Sequence, residues 1–250
     1  MKKLLVLILA IFLTFAVPYG AAKFLSEFMM NWLHEIFLLS QESSYFFGAL
    51  IHRLIQFLIA ILLLLFIFKQ KKIVALFKFD TLKIDMIEFK SLFILWPILT
   101  VLFLVIAIFV VDGFTEYLSG LYVFTPGWIL VRTSRDLFLL DAISEEVFNR
   151  AFMIGFLSKG FGKHLKIGKF KLSHAALLSI PLFALSHIQV TLYPFKIISY
   201  DIIQLILSIL TGFIFAYSYE KSKSLILPFL LHGYTNLVIT VSAYMILFFF

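Results

Sequence analysis

Apolar residues fall along this chain in blocks of roughly twenty, the length of helix that crosses a bilayer core of about 30 Å. The blocks predict helical spans at about residues 4–22, 46–68, 91–111, 135–158, 173–192, 200–219 and 225–248. Strands of an outer-membrane barrel would alternate apolar and polar positions, and these blocks do not. The expected class is all-α: a polytopic helical membrane protein with about seven transmembrane helices, in a range of six to eight.

Two segments fit the pattern less simply. Residues 24–39 are apolar but carry Glu27, His34 and Glu35, and predict either an interfacial amphipathic helix or an extension of the first span. A helix over residues 127–158 would run about 48 Å at 1.5 Å per residue. Its first part, with Arg132, Arg135 and Asp136, is expected at the interface. Lys2 and Lys3 before an apolar run, with small residues near Pro18–Ala22, also resemble a cleavable leader; a retained first span is the expectation.

Composition narrows the class. The chain is 62% hydrophobic and 14% charged, against about 25% charged in soluble domains. With no cysteine, disulfides, thiolate nucleophiles and cysteine zinc sites are excluded. The net charge of +7 reads as topology, not as nucleic-acid binding. Fifteen of the 21 basic residues, from Lys2 and Lys3, residues 69–90, residues 159–171, and Lys221 with Lys223, share one side if seven spans alternate. The basic side faces the cytoplasm. That predicts a multi-pass plasma-membrane protein with a cytoplasmic N-terminus and an external C-terminus. No internal repeat or linker divides it, so residues 1–250 are expected to form a single membrane domain.

Ionisable side chains inside spans cost at least ~2.5 kcal/mol each and mark function by default. Three sets stand out. Glu146 and Arg150, at i and i+4, make a helical pair, which leaves Glu145 beside them without a partner. His187 shares a helix face with Phe183, four positions earlier. His232 and Asn236 share a face of the last span. His34, His52 with Arg53, His164 and His174 read as interfacial, while Asp201 and Gln204 are placed to fringe a cavity. A carboxylate beside a histidine can hold and deprotonate a water. A second histidine and an amide can donate to an oxyanion. The same Glu and His residues suit a divalent metal equally. HExxH, GxSxG and a glycine-rich phosphate loop are all absent.

The order EExxxR (Glu145, Glu146, Arg150), FxxxH (Phe183, His187) and HxxxN (His232, Asn236) resembles the CPBP family of intramembrane proteases, also called the Abi or CAAX prenyl protease type 2 family. Gly212, Ser222, Ser224 and Pro228 ahead of the third motif add to the resemblance, which covers about residues 130–245; spans within 1–125 are not diagnostic. Asn149 stands where that family often has an aromatic, and Ala151 where glycine is frequent.

The resemblance implies an endopeptidase with an all-helical catalytic core, acting on membrane-associated or exported peptides. Glu145 and His187 would activate the water. His232 and Asn236 would stabilise the oxyanion, and Glu146, Arg150 and Phe183 would brace the site. The family allows two mechanisms, a metal-free glutamate one and a metalloprotease one with zinc held by Glu145, His187 and His232. Expected partners are membrane lipid and a peptide or protein substrate, with no nucleic acid. Two other classes compete: a non-catalytic bacteriocin-immunity or regulatory protein, and a transporter. Intact motifs weigh against the first, and the lack of inverted repeats and paired broken helices against the second.

Overall fold

A helix from Lys2 that outruns the bilayer sets the frame. The computed structural model describes residues 2–37, 39–69, 73–78, 87, 89–137, 140–167 and 170–250. Helix α1 (Lys2–Phe15) passes through a π-helical turn, Ala16–Ala22, into α2 (Lys23–Phe37) without a break. Residues 24–39 thus extend the first span as far as they are described. Helix α3 spans Gln41–Phe68, capped by Ser40, whose side chain accepts from the Ser43 N–H. Helix α4 spans Lys90–Val110, and two shorter helices follow, α5 (Phe114–Leu121) and α6 (Pro126–Leu137). The long polar-centred run is α7 (Leu140–Glu146), a π-helical segment Val147–Ile154, and α8 (Gly155–Phe161). Helix α9 (His174–Leu185), α10 (Ile202–Ser222) and α11 (Ile226–Phe249) complete the bundle.

Among the described residues, five helices are long and apolar enough to cross a membrane: Lys2–Glu35, Gln41–Phe68, Lys90–Val110, Ile202–Ser222 and Ile226–Phe249. The chain is an all-α polytopic membrane protein, as the apolar blocks predict. Two spans differ from expectation. The run expected at 135–158 is described from Leu140 to Phe161, with Arg135 in the last turn of α6 ion-paired to Asp141 of α7 at 3.1 Å.

The span expected at 173–192 ends at Leu185, after about 18 Å of helix. Ser186, His187 and Ile188 close tight backbone turns there, and two antiparallel strands follow, β3 (Gln189–Leu192) and β4 (Phe195–Ser199). β-Branched Val190, Thr191, Ile197 and Ile198 flanking Tyr193-Pro194 favour strand and turn over helix. A smaller hairpin, β1 (His164–Ile167) with β2 (Phe170–Ser173), occupies the lysine-rich connection before α9.

The basic segments gather at one end of the bundle. The Lys3 ammonium lies 6.0 Å from the Phe161 ring, and that of Lys159 lies 4.6 Å from the Phe68 ring. The Leu225 N–H donates to the Leu76 carbonyl at 2.8 Å, and Glu220 accepts from the Ser173 N–H at 2.7 Å. Ser224 locks this end: its hydroxyl accepts from the N–H groups of Lys78 and Ile226. Lys71, Lys72, Lys83 and Lys169 of the same count lie outside the described residues. At the opposite end, the Tyr117 hydroxyl meets Asp201, the helix cap of α10, and Tyr45 packs on Trp128.

Candidate active site

The charged motif sits where α7 gives way to the π-helical segment. Such widened turns recur at functional sites, because the extra residue per turn re-aims side chains. Glu146 and Arg150 form the expected pair, with Arg150 Nε donating to Glu146 Oε2 at 2.9 Å. Both are fully buried, so neither charge has water to fall back on. The other oxygen of Glu146 is used as well. His232 Nδ1 stands 2.9 Å from Oε1, which draws the last helix onto the motif.

Phe183 organises the aromatic side of the site. The Arg150 guanidinium lies 4.9 Å over its ring. His187 and His232 both meet it edge-on, at 4.9 and 5.7 Å between ring centres. Phe215 of α10 stacks on His232 at 4.8 Å. Gly212 explains how α10 comes so near. A methyl group there would stand 3.1 Å from Phe183 Cδ1, closer than ordinary contact.

His187 follows the last turn of α9. Its Nδ1 is 2.8 Å from the Phe183 carbonyl oxygen. A carbonyl can only accept, so Nδ1 carries the ring proton and Nε2 keeps a lone pair. Glu145 and His187 line one cavity of about 200 Å³, together with Tyr19, Arg53, Asn149 and Gln204. Gln204 fringes it as the sequence suggests, whereas Asp201 caps α10 instead.

Glu145 pairs differently from expectation. Its ion-pair partner is Arg53 of α3, with Nη1 at 2.7 Å from Oε1. The nearer histidine is His232, whose Nε2 is 3.8 Å from Oε2; His187 shares the cavity but makes no ion pair with Glu145. Oε2 is buried without a hydrogen-bond partner among the described residues. Asn149 donates from Nδ2 to the Glu145 carbonyl at 2.9 Å. Asn236 stands one turn beyond His232 on α11, half-buried, with no hydrogen bond to Glu145 or His232.

A family model described as Type II CAAX prenyl endopeptidase Rce1-like matches residues 96–238. The chain belongs to this family. The match bears out the resemblance to the CPBP proteases, and it covers all three motifs. Comparisons with curated proteins and with solved structures return no match.

Membership in the CAAX endopeptidase family makes a metal at this site a fair question. The donors present do not fit one. Among the described residues no three His, Asp or Glu side chains group as metal ligands. One oxygen of Glu145 is taken by the Arg53 guanidinium, whose charge would stand against a cation bound there.

Arg53 is what the sequence reading missed when it placed His52 and Arg53 at the interface. An arginine seven residues inside a predicted span, with no acid within a helical turn, is a signal that the partner lies on another helix. Arg53 also lies outside the matched segment, as do Tyr19 and Gln56 of the cavity wall.

Proposed function

We propose that the chain is an intramembrane endopeptidase cleaving membrane-associated or exported peptides with a water activated by Glu145 and His187, without a metal ion. The observation that supports it most is Glu145 Oε2, a buried carboxylate oxygen with no hydrogen bond at the edge of a polar cavity that also holds His187. A water held by Oε2 and the His187 Nε2 lone pair gives its proton to Glu145 as its oxygen attacks the peptide carbonyl. The oxyanion takes hydrogen bonds from His232 Nε2–H and Asn236 Nδ2. His232 is held for this by the contact of its Nδ1 with Glu146, which leaves Nε2 on the Glu145 side of the ring. The proton on Glu145 passes to the leaving amine when the C–N bond breaks. Glu146, Arg150 and Phe183 hold the donors in place.

The gathering of basic segments at one end supports a cytoplasmic N-terminus and external C-terminus in the plasma membrane. The test is purified protein in lipid or detergent, incubated with pools of membrane peptides and read by mass spectrometry. Wild type is expected to cleave, and to keep cleaving after full chelation; Glu145→Gln and His187→Ala are expected to be inactive. No cleavage by wild type, or normal cleavage by both variants, overturns the reading.

A further inference from the structure

We propose that Arg53, from the half of the chain that carries no family motif, is a positioning residue for the catalytic carboxylate: it pins Glu145 Oε1 so that Oε2 alone is presented to water. This rests on the endopeptidase reading above.

The geometry is that of a clamp. Arg53 is itself fixed on two sides before it reaches Glu145. Nε donates to Asp141 Oδ1 at 2.8 Å, and Nη1 donates to Gln56 Oε1 at 2.8 Å. Asp141 is held in turn by Arg135 Nε, 3.1 Å from its other oxygen. From that fixed base Nη1 lies 2.7 Å from Glu145 Oε1. Asp141 and Glu145 are one turn apart on the same helical run, so one planar guanidinium spans both.

The two oxygens of Glu145 are thereby made unequal. Oε1 is tied, while Oε2 has no hydrogen bond and faces His232 Nε2 at 3.8 Å. A carboxylate free to spin would present either oxygen, or turn both toward the guanidinium. Arg135 already pairs with Asp141, so Arg53 serves Glu145 both as counter-charge and as anchor. Lysine cannot replace the fork, since a point charge cannot hold Asp141 and Glu145 at two fixed angles.

The test compares wild type, Arg53→Gln, Arg53→Lys and Asp141→Asn as full-length protein, with the folded fraction measured by size exclusion and thermal unfolding. Arg53→Gln is expected to lower kcat by about 10²-fold, the loss that follows from misplacing a reacting group by about an ångström. KM should stay within about twofold. Arg53→Lys should recover part of kcat. Asp141→Asn, which frees the base of the clamp but keeps Arg53, should give a smaller fall in kcat, and it serves if Arg53→Gln does not fold. An unchanged kcat per folded molecule in Arg53→Gln, or in Asp141→Asn where Arg53→Gln does not fold, overturns the proposal, as does a loss carried wholly by KM. Those outcomes leave the endopeptidase reading standing if wild type cleaves and Glu145→Gln does not. A wild type that cleaves nothing removes both.

Discussion

His232 Nδ1 and Glu146 Oε1 meet at 2.9 Å across 86 positions of sequence. The bond joins the last helix to the charged run, and the other oxygen of the same carboxylate holds Arg150. Glu146 is therefore the joint between an ion pair inside one helix and a histidine from another.

Removing that joint should be a stability event. Glu146→Ala leaves Arg150 buried without its carboxylate, which typically costs about 3–5 kcal/mol. Thermal unfolding in detergent measures it. Glu146→Gln keeps the shape and one acceptor and should cost less. Equal stability of Glu146→Ala and wild type would contradict the buried pair.

Replacing His232 should instead show in turnover. His232→Ala removes the proposed oxyanion donor, and a loss of roughly 10²–10³-fold in kcat is the expected outcome. Substrate affinity, read as KM, should change little. A variant with normal kcat would assign His232 to scaffolding alone.

Gly212→Ala tests the close approach of α10. Its methyl group would press on Phe183, whose ring touches both histidines and Arg150. Overpacking of this kind costs about 1–3 kcal/mol. Kinetic assay of the folded fraction should show lower kcat as well, since the displaced ring carries the histidines with it.

The side of each loop can be read by single-cysteine labelling, because the chain has no native cysteine. Lys3→Cys, Lys163→Cys and Lys223→Cys should react from one face of sealed vesicles. Thr115→Cys and Tyr200→Cys should react from the other. Mixed sidedness within either set would break the seven-span alternation.

Much of this was legible in the sequence, and for a common reason. Glu146 and Arg150, or His232 and Asn236, stand four apart on one helix, so spacing alone places them together. Gly212 and Ser224 could be noticed as a pattern but not explained, because what they meet, Phe183 and the backbone of Lys78, lies on distant segments. Arg53 was hidden for the same reason: its ion pair with Glu145 spans 92 positions. The end of α9 at Leu185 was hidden differently. Ile188, Val190 and Leu192 extend the apolar pattern past Leu185, and an apolar strand registers the same transfer energy as an apolar helix.

That early end of α9 bears on reactant supply. Each bond hydrolysed consumes one water, and hydrocarbon is a poor road for it. Backbone outside helices is tolerated at membrane depth only where protein or an aqueous pocket meets its polar groups. The hairpin after His187 packs by Phe195 against Phe15 and by Leu192 near Gly20, some 20–27 Å along the first helix from Lys2. It begins at Gln189, on the cavity wall. The place left by a helix too short to cross is thus taken by Ser186, His187 and Gln189, polar groups that line the cavity beside Glu145 and can hydrogen-bond a water there.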